Sequence, residues 1–149
     1  MFKTIKELFS ANISDNTVDE KQIQLAAATL MFELIRSDGD IDEQELKSLD
    51  TILENEFGLD SSERDTLTEQ ARQSAEDAIS LQGFTRQICE HWGNEKRLKL
   101  LEYLWVLSLA DNHIDRHERH LVRKVAGLLY LNDNEIILAQ EKAKQRIAH

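Results

Sequence analysis

The sequence predicts an all-α fold, and three observations support that prediction. Proline is absent and glycine occurs only five times in 149 residues, so little interrupts regular helices. Strong helix formers, above all Ala, Leu, Glu, Gln, Lys and Arg, dominate the composition. Five capping residues are each followed three positions later by Glu, a pattern that satisfies backbone N–H groups at a helix start. The five pairs are Thr17/Glu20, Asp42/Glu45, Asp60/Glu63, Asp115/Glu118 and Asn132/Glu135.

The first predicted helix, over residues 2–10, is amphipathic. Its apolar side carries Phe2, Ile5, Leu8 and Phe9. The polar stretch SANISDNT that follows is typical of a flexible joint. The apolar side either caps the core formed by the rest of the chain or docks on a partner or a second copy, and the sequence leaves both readings open.

Two predicted helices, over 18–37 and 95–110, are apolar nearly all round. A helix without a polar face is usually central and buried, so we expect this pair to form the middle of the bundle. The apolar residues of the first are Ile23, Leu25, Ala26, Ala27, Leu30, Met31, Phe32, Leu34 and Ile35, and those of the second are Leu98, Leu100, Leu101, Tyr103, Leu104, Trp105, Val106, Leu107 and Leu109.

The remaining predicted helices cover 42–57, 61–78, 81–92, 115–130 and 133–147. The helices over 42–57 and 115–130 each have a single apolar stripe, which is typical of a helix packed on one side. Gly58 is a natural stop after the helix over 42–57. The stripes are Leu46, Leu49, Ile52, Leu53 and Phe57 in one and Leu121, Val122, Val125, Leu128 and Leu129 in the other.

The chain contains a two-fold internal repeat. A shift of 73 residues places Asp38 on Asp111, Ile41 on Ile114, Asp42 on Asp115 and Glu45 on Glu118. Each half is a buried helix, an acidic turn, an amphipathic helix and a capped third helix. We therefore predict one domain over 1–149, a pseudo-two-fold bundle of seven or eight helices. It divides into an N-terminal helix and joint at 1–16, a first repeat at 18–78 and a second repeat at 81–149.

Charge and composition exclude several classes of protein. The net charge of −10 disfavours nucleic acid and anionic membrane surfaces, which need clustered Lys and Arg, but suits cations or basic partners. The single cysteine, Cys89, excludes an internal disulfide framework. We find neither a signal peptide nor an apolar run long enough for a membrane span. These features together favour a cytoplasmic protein that does not insert into membranes.

The acidic turn SDGDIDEQE at 37–45 resembles a calcium loop but fails its pattern. Counted from Asp38, the sixth position of an EF-hand loop should be Gly and is Glu43, and the twelfth should be Glu and is Leu49. The related turn ADNHIDRHE at 110–118 replaces Asp40 with His113. What both turns share is D-x-x-I-D-x-x-E, which is not an EF-hand.

Two readings of the shared pattern stay open. In one, the Asp and Glu of D-x-x-E cap the helices that follow, and Gly39 or Asn112 provides a left-handed turn. In the other, the turns bind a divalent cation, because Asp38 and Asp111 stand at helix C-termini, where the dipole disfavours negative charge. Carboxylate ligands suit Ca²⁺ or Mg²⁺ better than Zn²⁺. The candidate ligands are Asp38, Asp42, Glu45, Asp111, Asp115 and Glu118.

Histidines in the second turn suggest a separate zinc site. His117 and His120 lie three apart on a predicted helix and can face the same way. With Asp111 and His113 they could hold Zn²⁺ or Ni²⁺. Arg116, Arg119 and Arg123 on the same helix favour a solvated surface instead. Secondary metal candidates are Asp40, His113 and His117.

The two turns with their flanking helices resemble the TerB-like family, named for bacterial tellurite resistance. The resemblance rests on LIRSDGDIDEQELKSL and LSLADNHIDRHERHLV and extends over about 20–147. It implies an all-helical cytoplasmic domain, acidic residues proposed to bind metal, and a role in stress responses. By position, those ligands fall on Asp38, Asp42 or Glu45 and on their counterparts in the second turn.

No catalytic constellation stands out, so we expect a protein that is not an enzyme. Glycine-rich phosphate loops and the motifs of serine hydrolases and zinc proteases are absent from the sequence. Cys89 and His91 are two apart and should face different sides of a helix. Trp92 and Trp105 are expected in the core. The main reading is a helical interaction module with an unknown protein partner or self-association, and its alternative is a metal-free scaffold whose acidic turns only cap helices.

Overall fold

The computed structural model describes residues 20–37, 39–110 and 116–148, and every regular element among them is an α-helix. The prediction of an all-α fold is thereby confirmed, whereas the helix expected at 2–10 lies outside the described residues. The helices are α1 over 20–35, α2 Glu43–Asn55, α3 Ser61–Asp77, α4 Gln82–His91, α5 Asn94–Ser108, α6 Arg116–Leu128 and α7 Asp133–Ala148.

Several helices end slightly before the predicted residue, because local turns satisfy their last carbonyl groups. After α1, the backbone N–H of Ser37 donates to the Leu34 carbonyl at 3.2 Å, and its hydroxyl donates to the same oxygen at 2.8 Å. After α2, Gly58 adopts a φ of 66°, the left-handed conformation in which glycine ends helices. Tyr130 adopts a φ of 60° after α6, where a side chain makes that conformation less favourable.

The core is built around α1 and α5. Helix α5 contacts α2, α6 and α7, and Trp105 in its middle is 1% exposed, which confirms that this tryptophan belongs to the core. Both helices carry buried apolar residues on several sides, as their sequences predict. Those of α1 are Ile23, Ala26, Ala27, Ala28, Leu30, Met31, Phe32, Leu34 and Ile35.

The helix boundaries follow the sequence repeat. Helix α6 begins and ends 73 residues after α2 begins and ends, and α5 ends 73 residues after α1. Helix α7 begins 72 residues after α3, in line with one gap in the alignment. Each half therefore has the same order of helices around its acidic turn. A two-fold axis relating the halves in space stays a prediction.

A cluster of charged and aromatic groups fastens the end of α7 to the rest of the bundle. The Arg146 guanidinium donates from Nη1 to Glu56 Oε1 at 2.5 Å and from Nε to the Glu102 carboxylate, and it lies 5.5 Å from the centre of the Tyr103 ring. Glu102 is only 4% exposed. Burial by itself would raise the pKa of Glu56, but the hydrogen bond and charge of Arg146 outweigh it and hold that pKa below its ordinary value.

We expect Arg146→Ala to destabilise the fold, because it leaves the buried Glu102 carboxylate without its cation. Since Arg146 itself is partly exposed, the loss should be about 2 kcal/mol, less than for a fully buried pair. Urea unfolding measures it. Arg72→Ala is the matched control, because Arg72 pairs with Glu69 and Glu76 on the exposed surface of α3 and should leave stability unchanged. Equal urea midpoints for Arg146→Ala and Arg72→Ala would contradict this prediction.

Candidate functional site at the acidic turns

Two helix starts away from the acidic turns, those of α3 and α7, are ordinary reciprocal caps. At α3, the Asp60 backbone N–H donates to Glu63 Oε1 at 3.0 Å, and the Glu63 N–H donates to Asp60 Oδ1 at 2.8 Å. At α7, Asn132 and Glu135 exchange the same two bonds at 3.0 and 2.8 Å. Both predicted capping boxes are confirmed, and they set the standard against which the acidic turns can be compared.

The first acidic turn joins α1 to α2 and is capped by Asp42. Asp42 Oδ1 accepts from the backbone N–H of Gln44 at 2.7 Å and of Glu45 at 3.3 Å. Gly39 has a φ of 92°, which confirms the predicted left-handed turn residue, and its N–H donates to the Arg36 carbonyl at 3.1 Å. The cap reading of Asp42 is thus confirmed, whereas Asp38 lies outside the described residues.

The glutamates that follow the acidic turns differ from the other capping glutamates in their burial. Glu63 is exposed and Glu135 is half-buried, but Glu45 is 2% exposed at the start of α2 and Glu118 is 3% exposed at the start of α6. Removing a carboxylate from water costs several kcal/mol before any compensation. Burial at the same position in both halves sets these two glutamates apart from a surface cap, and the sequence pattern did not reveal it.

The other predicted ligands of the described chain lie on the surface. Asp40 is exposed and Asp42 is half-buried, and on α6 both His117 and His120 are exposed. Within residues 20–37, 39–110 and 116–148, no group of three or more His, Cys, Asp or Glu side chains is arranged to hold a metal ion. Asp111, His113 and Asp115 lie outside these ranges, so the predicted six-residue set stays a prediction.

The outer face of α6 is strongly basic, although the whole chain carries a charge of −10. Its exposed residues recur at the spacing of one helix face, and the prediction of a solvated surface there is confirmed. The exposed residues are Arg116, His117, Arg119, His120, Arg123 and Lys124. We call this set the basic face.

Cys89 is half-buried, as expected for a thiol with a structural role. Its Sγ lies 3.7 Å from the Leu128 carbonyl oxygen, so it bridges α4 to the end of α6. His91, two residues on, is exposed, and its Nδ1 lies 2.9 Å from the Gln87 carbonyl oxygen. The side chains of Cys89 and His91 therefore contact different neighbours, as their spacing predicts.

An aromatic cleft of about 280 Å³ lies between α1, the end of α2 and α5. Its walls include Phe57, Trp92 and Tyr103. Trp92 is half-buried and packs against the hydrophobic core, so it lies at the margin of the core, whereas Trp105 lies inside it. Trp92 follows the last residue of α4 and precedes Gly93, and its position at the end of a helix was the signal in the sequence that could have placed it at the surface.

Helices long and apolar enough to cross a membrane do not occur among the described residues.

Substitutions at Asp42 separate the cap from the charge. Asp42→Ala removes the acceptor for two backbone N–H groups, so the free energy of unfolding should fall by about 1 kcal/mol. Asp42→Asn keeps an equally good capping oxygen, so its free energy of unfolding should stay within about 0.3 kcal/mol of that of the unsubstituted chain. Urea unfolding without added divalent cations measures both, and equal losses for Ala and Asn would show that the charge and not the cap matters.

One of three comparisons with known proteins gives a match. No curated protein and no solved structure matches this chain. A family model described as Tellurite resistance protein TerB matches residues 24–141. That range includes both acidic turns and reaches from α1 into α7. Because the match covers most of the sequence, the chain belongs to the TerB family.

Proposed function

We propose that this TerB-family chain is a non-enzymatic, cytoplasmic helical module that binds a divalent cation at its acidic turns. In this proposal it acts through protein interactions in a stress response related to tellurite resistance. Family membership supports the general role. The observation that carries the cation is the burial of Glu45 and Glu118 at matching positions, 2% and 3% exposed.

A cation bound at each turn accounts for that burial. A carboxylate at the first turn of a helix gains from the helix dipole, but this gain is smaller than the cost of removing the charge from water. A positive ion at the turn would add to the compensation that the protein's own groups supply. Because the candidate ligands are carboxylates and His117 and His120 are exposed, Ca²⁺ or Mg²⁺ suits the site better than Zn²⁺.

Capping and cation binding are compatible at Asp42. Both backbone N–H groups that Asp42 caps donate to the same oxygen, Oδ1. The second oxygen, Oδ2, takes no part in the cap and can face an ion. We therefore assign Asp38, Asp42 and Glu45 to the first site, and Asp111, Asp115 and Glu118 to the second.

The competing function is a metal-free scaffold in which the acidic turns serve only as helix starts. The observed cap of Asp42 favours this alternative, because it gives one acidic residue a structural purpose. In this alternative Glu45 and Glu118 also serve the helix starts, and they gain only from the helix dipole and from neighbouring protein groups. A cation titration decides between the two functions.

Titration of the unsubstituted chain with Ca²⁺ should release or absorb heat and raise the melting temperature. At a cation concentration one hundred times the dissociation constant, the stabilisation should be about 2.7 kcal/mol. Asp42→Asn and Glu45→Gln should weaken binding at least tenfold, since each removes a charged ligand while keeping the residue's shape. Isothermal calorimetry measures the affinity, and Mg²⁺, Mn²⁺ and Zn²⁺ are compared with Ca²⁺.

The matched control for that titration is Asp60→Asn. Asp60 is likewise the N-cap residue of its helix, α3, but stands outside the acidic turns, so this variant should bind Ca²⁺ like the unsubstituted chain. Absence of heat and of any melting shift with millimolar Ca²⁺ and Mg²⁺ would leave the scaffold as the function.

For the interaction role we propose that the basic face of α6 contacts an acidic surface on a partner protein or on a second copy. This face concentrates positive charge on a chain whose net charge is negative. Charge complementarity between two surfaces mainly sets the rate and specificity of their association. The residues at its centre are Arg119 and Arg123, both exposed.

Arg119→Glu combined with Arg123→Glu should abolish co-purification of the partner from the native cell, and any self-association, because it reverses the charge of the contact. Lys142→Glu with Lys144→Glu on α7 is the control with the same change in net charge. Pull-down and sedimentation at low and high salt measure both. The proposal fails if the two double variants retain partners equally well.

A further inference from the structure

The aromatic cleft has an apolar wall and a charged rim. Phe57 and Tyr103 lie with ring centres 6.5 Å apart at an interplanar angle of 52°, and Trp92 lines the same cleft. The rim is contributed by charged and polar residues of α1, α2 and α5. Rim residues are Glu20, Gln24, Glu56, Lys96 and Lys99. An apolar aromatic wall surrounded by charged residues is the usual composition of a site for an amphipathic segment.

The described chain begins at the rim of this cleft. Glu20, the first described residue, is one of the lining residues, and residues 1–19 precede it. Residues 11–19 alone can span roughly 30 Å when extended. A segment placed before them can therefore reach any part of a cleft that opens beside residue 20.

We infer that the cleft is the docking site for residues 2–10 of the same chain. This segment carries large apolar residues on one side of its predicted helix, and its size suits a cleft of about 280 Å³, which accepts one or two such side chains at a time. The apolar side consists of Phe2, Ile5, Leu8 and Phe9. Docking it covers the exposed parts of Phe57 and Trp92.

The charges of the segment and the rim complement each other. On the predicted helix, Lys6 flanks the apolar side of the segment, and the carboxylate of Glu20 lies on the rim. Pairs of this kind orient a helix in a groove more than they add affinity.

A segment of the same chain also has the advantage of concentration over a second copy. A short flexible joint gives the tethered segment an effective concentration in the millimolar range. An untethered copy would have to reach that concentration to compete. The inference concerns a surface away from the acidic turns and does not depend on cation binding.

Fluorescence of Trp92 in the full-length chain tests the inference. Leu8→Ser with Phe9→Ser should raise the acrylamide quenching constant by roughly a doubling, because it uncovers Trp92 while Trp105 stays 1% exposed. In the Trp92→Phe background the same pair of substitutions should change nothing. Thr4→Ala with Ser10→Ala, on the same segment but off its apolar side, is the matched control. Unchanged quenching in the Leu8→Ser, Phe9→Ser chain overturns the inference.

Dilution distinguishes the tethered segment from a second copy. If quenching of the unsubstituted chain rises on dilution and sedimentation shows a dimer, the occupant is another copy and the intramolecular inference fails.

A disulfide trap is a second measurement, and it does not depend on whether the serine variants fold. In a Cys89→Ser chain, Leu8→Cys should cross-link to Lys96→Cys under a copper-phenanthroline oxidant and not to Arg123→Cys on α6. Equal trapping at both positions likewise overturns the inference.

Discussion

Enclosing α5 is the constraint on which the rest of the structure depends. A helix that is apolar nearly all round cannot have a free face in water, since each exposed large side chain forfeits about 1.5–3 kcal/mol of burial. Helices α2, α6 and α7 therefore all contact α5. The neighbours need only one apolar stripe each, which is the pattern that α2 and α6 have, and their outer faces remain available for charge.

Buried carboxylates stand at the margin of this core, and their surroundings differ. Glu102 on α5 is compensated by Arg146 at the end of α7, so a charge in the central helix also fixes the position of the last one. Glu45 and Glu118 are buried at the first turns of α2 and α6, where the helix dipole contributes part of the compensation. The Glu102 carboxylate thus stabilises the contact between α5 and α7, whereas Glu45 and Glu118 lie beside the acidic turns.

Sequence patterns predicted most of the fold because the signals involved are local. Capping pairs such as Asp60 and Glu63 place helix starts to within a residue or two, and apolar periodicity identified α1 and α5 as central. Burial of Glu45 was not predictable in this way, because it depends on how α2 packs on helices distant in sequence. The D-x-x-E pattern reads the same whether its glutamate is exposed, as at Glu63, or buried, as at Glu45.

The position of the acidic turns determines what a bound cation could do. Asp42 begins α2, and α2 packs on both α3 and α5, so an ion at this turn would act on the first residues of a helix whose remainder is already fixed by the core. Its effect would then be to stabilise a helix start and to change the charge of the surface beside it, with little movement of the bundle. A TerB-family module of this kind would respond to cations through surface charge, which is also the property that the basic face of α6 would use to select a partner.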